Sequence, residues 1–254
     1  MNRSGSSGWS GSVASVVELL ECRRMLSAAP APTLNYGVLH VEGTEANDVI
    51  VVAAGKKSSA LRVMVNGVSS EFARSSVTGI ELTGGDGNDV IIVLGGVKTP
   101  ATLNGGSGND MLVGGSGDDE LSGGLGNDRV LGRAGNDTIS GDEGDDRLDG
   151  DRGHDNMGGG DGNDRMTGGA GNDVMLGEAG NDRMHGGAGD DQLSGAQGDD
   201  DVNGGKGKDL VVGGDGHDTF HGIDDSTELY DRTSDEVLKG EEHVKVPEVK
   251  TARK

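Results

Sequence analysis

The chain has 254 residues, of which 50 are glycine and only five are aromatic, and its formal net charge at pH 7 is −22. Glycine usually supplies about 7% of a protein, so this composition argues against a conventional globular core, and the lack of a three-residue glycine period excludes collagen. The acidic balance argues against nucleic acid as a partner, because that binding depends on Lys and Arg, and it points to cations; no run reaches the ~18 apolar residues of a transmembrane helix.

Residues 1–33 differ in composition from everything that follows. A Gly/Ser-rich start leads into the short amphipathic stretch VVELLECRRMLSA and then AAPAP. Glu18, Glu21, Arg23 and Arg24 interrupt its apolar residues, which is untypical of a classical signal peptide. We expect this region to be a disordered export or targeting segment.

Residues 34–104 predict an irregular β cap. Alternation of apolar and polar residues predicts strands at 61–65 and 79–82. Before and after these strands, segments follow a nine-residue pattern of glycines and one aspartate.

Three segments carry that pattern before it becomes regular. GGDGNDVII at 84–92 is a full unit, with Asp89 at its sixth position, and GTEANDVIV at 43–51 is a looser version with Asp48. GVKTPATLN at 96–104 keeps the frame but has Ala101 where the aspartate should stand.

Residues 105–221 consist of thirteen nine-residue units without a gap, a strong internal repeat. Positions one and four are always Gly, and position six is always Asp. Position eight is always large and apolar, being Leu112, Leu121, Val130, Ile139, Leu148, Met157, Met166, Met175, Met184, Leu193, Val202, Val211 and Phe220.

Each unit reads as a tight turn followed by a short strand. Glycine supplies positive φ at low cost, so both invariant glycines are interpreted as turn residues. The last three residues of the unit alternate out, in, out, with position eight inward. Two units then form one coil with a strand on each side, coils stack at the ~4.8 Å strand spacing, and units n and n+2 lie on the same side.

Stacked turns bring the position-six carboxylates into rows. Such rows repel one another, and a divalent cation between them converts the repulsion into attraction. Ca²⁺ suits these sites because it accepts uneven geometry and both carboxylate and carbonyl oxygens, whereas Mg²⁺ demands a stricter octahedron. The candidate metal ligands are Asp89, Asp110, Asp119, Asp128, Asp137, Asp146, Asp155, Asp164, Asp173, Asp182, Asp191, Asp200, Asp209 and Asp218.

Residues 222–254 predict a C-terminal cap and a charged tail. Glycine becomes rare after Gly222, and the sequence favours a short helix that starts near Ser234. The last residues, VPEVKTARK, are basic and are expected to fray.

The units GGSGNDMLV, GGDGNDRMT and GGAGNDVML resemble the GGxGxDxUx nonapeptide of RTX calcium-binding proteins. The resemblance covers 105–221 and 84–92. It implies an all-β, right-handed parallel β-roll that folds on binding several Ca²⁺ ions after export from a calcium-poor cytoplasm. Position two departs from Gly at Arg133, Asp142, Asp151, Glu178 and Ala196, and weaker sites are expected there and beside Lys208.

A second segment, LLECRRMLSA at 19–28, resembles the LEPR-xLL segment of some bacterial cell-surface proteins, with Cys22 in place of Pro. That resemblance implies export by an N-terminal signal. The usual RTX route, a C-terminal type I secretion signal, is the alternative, although VPEVKTARK is not similar to it.

Position seven shows a further pattern, with arginine at 129, 147, 165 and 183, which predicts a ladder along one face. It either balances the charge of the neighbouring turns or binds an anionic cell-surface polysaccharide through Arg's planar fork. The four consecutive Met at position eight are interpreted as core residues.

Neither HExxH nor GxSxG occurs, and the parts outside the repeats are too short for a hydrolase domain. We therefore expect no catalytic activity. The sequence favours a secreted or surface-attached calcium-binding β-roll with a structural or adhesive role. The alternative is a non-catalytic folding or secretion module of a separate hydrolase or toxin system.

Overall fold

The computed structural model describes residues 29–55, 57, 59–222, 228–230 and 237–238. The amphipathic stretch predicted as an export segment lies outside this part of the chain. In the described residues, the only helical element is a 3-10 turn at Arg74–Ser76, and no helix is long and apolar enough to cross a membrane.

The first nine strands precede or open the regular repeats. They are β1 Thr33–Asn35, β2 Val38–Glu42, β3 Val49–Ala54, β4 Ala60–Val65, β5 Val68–Ala73, β6 Gly79–Asp86, β7 Val90–Val93, β8 Ala101–Ser107 and β9 Met111–Val113. The strands predicted at 61–65 and 79–82 are confirmed as β4 and the first half of β6.

From residue 120 onward, strands recur at the repeat period. They are β10 Glu120–Leu125, β11 Arg129–Ala134, β12 Thr138–Glu143, β13 Arg147–Arg152, β14 Asn156–Asp161, β15 Arg165–Ala170, β16 Val174–Ala179, β17 Arg183–Ala188, β18 Gln192–Gln197, β19 Asp201–Lys206, β20 Leu210–Asp215, β21 Thr219–His221, β22 Glu228–Tyr230 and β23 Val237–Leu238.

These strands form two sheets that together make a parallel β-solenoid, as expected for a β-roll. Sheet A has the order β1-β2-β6-β8-β10-β12-β14-β16-β18-β20-β22, and sheet B the order β23-β21-β19-β17-β15-β13-β11-β9-β7-β3-β4-β5. Antiparallel pairs occur at the N-terminal end, between β1 and β2 and through β3, β4 and β5. These antiparallel pairs lie between Thr33 and Ala73, and the cap expected over 34–104 stays a prediction.

The register confirms that units n and n+2 lie on the same side. Leu121 pairs with Ile139, and Val130 pairs with Leu148, so each partner is eighteen residues away. Both parallel ladders also extend upstream of Gly105, through β6–β8 in sheet A and β7–β9 in sheet B. The coil geometry therefore starts before the first of the thirteen clean units.

Position eight forms the core of the repeat region. All thirteen of its residues are at most 2% exposed and belong to one apolar cluster that continues into the N-terminal strands. Their neighbours at positions seven and nine point outward, as the alternation predicts. The four consecutive methionines are part of this core.

The prediction of a short helix near Ser234 is wrong at Val237–Leu238, because these residues form β23, which pairs in parallel with β21. The rest of that segment lies outside the described residues. The reason for the mismatch is topological, since another strand extends the ladder of sheet B. β22 extends sheet A in the same way by pairing with β20.

Candidate metal centre

The position-six aspartates lie in two rows, one on each side of the roll. Row A occupies the turns from sheet A to sheet B and contains Asp89, Asp110, Asp128, Asp146, Asp164, Asp182, Asp200 and Asp218. Row B occupies the opposite turns and contains Asp119, Asp137, Asp155, Asp173, Asp191 and Asp209. All fourteen candidates are at most 3% exposed, so they are not a solvated acidic surface.

One oxygen of each carboxylate has a structural role that the sequence did not reveal. The backbone N–H of Asp110 donates to Oδ1 of Asp128 at 2.7 Å, and the N–H of Asp128 donates to Oδ1 of Asp146 at 2.7 Å. The same bond links successive aspartates along both rows. Each carboxylate therefore ties its own turn to the preceding one.

The second oxygen is different. Within the described residues, Oδ2 is buried without a hydrogen-bond partner in a large set of these aspartates. The set is Asp89, Asp110, Asp128, Asp137, Asp146, Asp155, Asp164, Asp173, Asp182, Asp191, Asp200 and Asp218. A buried anionic oxygen without a partner is unfavourable, so this atom calls for a cation.

The first glycine of each unit leaves the space beside this oxygen open. A Cβ on Gly105 would stand 2.4 Å from Oδ2 of Asp110 and 2.4 Å from the carbonyl oxygen of Gly123 in the next coil. On Gly141 it would stand 2.3 Å from Oδ2 of Asp146 and 2.4 Å from the oxygen of Gly159. Carboxylate and carbonyl oxygens thus converge where a side chain would begin.

This geometry corrects one part of the sequence interpretation. The prediction of positive φ is confirmed for the glycine at position four in every one of the thirteen units except at Gly117. It is wrong for position one, where Gly105 and Gly141 do not have positive φ. Position one needs glycine because the oxygens occupy the place of Cβ. Positive φ occurs instead at position two, including Arg133 (81°) and Ala196 (82°).

Burial raises the pKa of these carboxyls. The pKa rises from 3.8 to about 7 at Asp128, Asp137, Asp164 and Asp200, mainly through burial, against the backbone hydrogen bond and with help from neighbouring aspartates. At Asp89 the pKa rises to about 6 for the same main reason. The metal-free turns thus disfavour the charged form that a cation would stabilise.

A second ladder, at position five, was missed from the sequence. The N–H of Asn127 donates to the side-chain oxygen of Asn109 at 2.8 Å, and that of Asn172 donates to Nδ1 of His154 at 2.8 Å. The signal was the recurrence of Asn and Asp at position five. His154 therefore serves as a hydrogen-bond acceptor within the turns.

These oxygens suit Ca²⁺. It binds carboxylate and backbone carbonyl oxygens together, and each turn offers one carboxylate beside carbonyls. In the described part of the chain, no three His, Cys, Asp or Glu side chains converge on one point, as expected when most of the ligands are carbonyls.

The model of the RTX calcium-binding nonapeptide repeat matches this chain at residues 81–96, 102–130, 122–157, 158–193 and 194–222, more than half of its length. The chain belongs to the RTX calcium-binding nonapeptide repeat family. No curated protein matches it. The family binds multiple Ca²⁺ ions through these repeats, is typically secreted, and its β-roll is typically structural and non-catalytic.

In this RTX chain, the residues that would hold Ca²⁺ are the aspartates with an unpartnered Oδ2 and the position-one carbonyls of the next coil. The ion would supply positive charge to the buried carboxylates. The chain itself supplies the orientation, since the Oδ1 hydrogen bond fixes each carboxylate with Oδ2 toward the open space.

Proposed function

We propose that this protein is an extracellular, calcium-loaded β-roll with a structural or adhesive role, and that it folds on binding Ca²⁺ after export. The observation that carries the proposal is the repeated buried Oδ2 without a protein partner. Burial of so many carboxylates without cations is unfavourable, so we expect the chain to remain unfolded until cations bind.

The division of each unit supports a purely structural role. Inward positions hold one apolar side chain and one carboxylate, and outward positions vary from unit to unit. Two surface depressions among the described residues, one beside Glu81 and Glu120 and one beside Arg147, are open to solvent. We accordingly propose that the protein has no catalytic activity of its own.

A calcium titration followed by circular dichroism and size-exclusion chromatography tests the folding proposal, with magnesium as the control ion. We expect a gain of β signal and a decrease in hydrodynamic radius with Ca²⁺ alone. A chelated protein that keeps its sheet spectrum and compact size would contradict it. Cell fractionation tests the location, with envelope retention supporting a surface role and dependence of a secreted hydrolase on this chain supporting an accessory role.

The arginine strip, Arg129, Arg147, Arg165 and Arg183, supports a more specific partner. These residues lie directly opposite one another on β11, β13, β15 and β17, and all four are exposed. Like charges at this spacing destabilise a sheet. Arg183 has an ion pair, Nε to Oδ2 of Asp201 at 3.2 Å.

We therefore propose that the strip binds an anionic polysaccharide. Guanidinium groups repeating at strand spacing match a linear polymer that carries one anionic group per sugar, and Arg binds such groups with its planar fork. The neighbouring turns add exposed Asp145 and Asn163, which line a depression with three of the arginines. The Asp145 carboxylate repels anionic groups, so we expect the polymer to lie along the arginines and not in this depression.

Retention of the calcium-loaded protein on immobilised dextran sulfate, with neutral dextran as reference, tests this partner. The variant R129Q/R147Q/R165Q/R183Q should lose retention. The control R133Q/R152Q, which changes arginines outside the strip, should keep it. Unchanged retention in the fourfold variant, with a normal β spectrum, would refute the polysaccharide proposal without affecting the calcium proposal.

A further inference from the structure

Two buried turn aspartates differ from the twelve aspartates with an unpartnered Oδ2 in what holds their second oxygen. They are Asp48, in the turn between β2 and β3 that precedes row A, and Asp119, the first aspartate of row B. Both are at most 3% exposed, like the rest of the rows. In both, protein donors occupy Oδ2.

At Asp119 the donor is the backbone of its own turn. The N–H of Gly115 donates to Oδ2 at 2.6 Å, and the N–H of Ala101 donates to Oδ1 at 2.8 Å. This N–H gives Oδ2 a protein donor, which the twelve aspartates with an unpartnered Oδ2 lack. Both oxygens of this carboxylate are therefore satisfied without an ion.

The cause is a change of local backbone. In regular coils, positions one to three remain in the strand; Gly124, for example, pairs with Gly106 and Asp142. β9 ends at Val113 instead, so Gly115 is outside any strand and its N–H is available to Asp119.

The upstream turn explains why β9 is short. Three extra residues, 93–95, separate the unit at 84–92 from the unit at 96–104, so Val90 pairs with Met111 at an offset of twenty-one residues. The N–H of Ser116 then bonds to the oxygen of Val97 at 3.0 Å. Neither Gly115 nor Gly117 has the positive φ of the regular turns.

Asp48 reaches the same result with different donors. Thr44 donates to Oδ2 through its N–H at 2.5 Å and through Oγ1 at 2.8 Å. The amide of Asn66, in the turn between β4 and β5, donates to Oδ1. Neither oxygen depends on a cation.

We infer that each calcium row is preceded by a carboxylate whose two oxygens both accept hydrogen bonds from the protein, so that ion binding begins at Asp89 in row A and at Asp137 in row B. Asp119 is then a structural turn residue, although its unit matches the calcium motif. This inference rests on the proposed calcium binding and assigns its limits. It gives the roll an N-terminal end that is independent of calcium on both sides.

Counting bound ions by native mass spectrometry of the calcium-loaded full chain tests this. D119N and D137N remove the same charge from neighbouring turns of one row. D119N should keep the wild-type number of ions, and D137N should lose at least one. Loss of the same number in both variants would overturn the inference, whereas a wild-type protein without bound calcium would overturn the proposed function instead.

Crystals of the wild-type protein with terbium in place of calcium give a test that needs no variant, should D119N fail to fold. Anomalous density is expected beside Asp89 and Asp137, and none beside Asp48 or Asp119. A terbium peak within bonding distance of Asp119 would overturn the assignment.

Discussion

The N-terminal coils and the repeat coils share one topology but are stabilised differently. Strands β2, β3, β4, β6 and β7 each place two or three apolar side chains in the main core, such as Ile50 and Val52 in β3. A second apolar cluster covers the other face of β3 and β7. Each repeat strand buries one large apolar side chain, followed by glycine. The same coil can thus be held by apolar packing or by a carboxylate with its cation.

A comparison of magnitudes supports the proposal that the repeat coils need the cation. One buried aliphatic side chain contributes less free energy than the ordering of nine backbone residues costs. A nine-residue unit with one such side chain falls short. In the N-terminal strands, the burial of several apolar side chains per turn offsets more of the entropy that is lost when the chain becomes ordered.

Calcium removal should separate the two regions, and this is the largest effect that we expect. In chelator at pH 7.5, amide hydrogens of residues 123–221 should exchange as in an unfolded chain, because their buried carboxylates repel. Those of β3, β4 and β6 should remain protected. Hydrogen-exchange mass spectrometry of the full chain measures both, and uniform exchange across the two regions would show that the comparison is wrong.

Acid should replace part of the effect of calcium. A carboxyl group whose pKa is higher in the folded chain than in the unfolded chain favours the folded state at low pH. This contribution is fully present below the pKa of the unfolded chain, near 4, and it is lost as the pH rises through the pKa of the folded chain. For Asp128, Asp137 and Asp164 the folded pKa is about 7. In chelator, the repeat region should therefore be more compact at pH 4.5 than at pH 7.5, because its buried carboxyls are then mostly neutral and no longer repel one another.

Size-exclusion chromatography and circular dichroism in chelator at the two pH values provide the measurement. High salt at pH 7.5 is the control, since it screens exposed charges but acts little on buried ones. A metal-free protein that is equally expanded at both pH values, or that salt compacts as well as acid does, would remove the buried carboxyls from the explanation.

Truncation of a single inward residue should strongly destabilise the repeats. Leu148 is 1% exposed and is the only large apolar residue that β13 buries. L148A should lower the free energy of unfolding of the calcium-loaded protein by about 2–5 kcal/mol. The exposed Leu125 supplies a matched control, L125A, for which we expect a change within about 0.5 kcal/mol; equal effects would contradict the assignment of position eight as the core.

The sequence predicted the repeat fold well because its signal is periodic. Gly, Asp and one apolar residue recur in a nine-residue frame, and a period of two units implies both the same-side rows and the eighteen-residue register between Val130 and Leu148. Coordination by Ca²⁺ followed from the chemistry of one acidic residue among glycines. None of this required knowledge of side-chain contacts.

The features that the sequence did not predict depend on local contacts that differ from the nine-residue repeat or are added to it. Asp119 has the motif of its neighbours, and only the insertion at 93–95 and the missing aspartate at Ala101 indicate that its turn differs. The sequence also did not reveal why position one is glycine. A backbone with positive φ and an atom packed too close for a Cβ both require glycine, so the residue alone does not distinguish the two causes. The structure distinguishes them, because it places the Oδ2 of Asp110 where a Cβ on Gly105 would stand.

The smallest expected effect concerns position two, where the repeats tolerate strain. Ala196 has φ of 82°, in the left-handed region that disfavours side chains, so A196G should stabilise the calcium-loaded protein by about 1 kcal/mol. Ala188, in β17, lacks positive φ, and A188G should be neutral or destabilising for entropic reasons. Denaturant unfolding at saturating calcium measures both; stabilisation by A188G equal to that by A196G would mean that backbone strain at position two is not the cause.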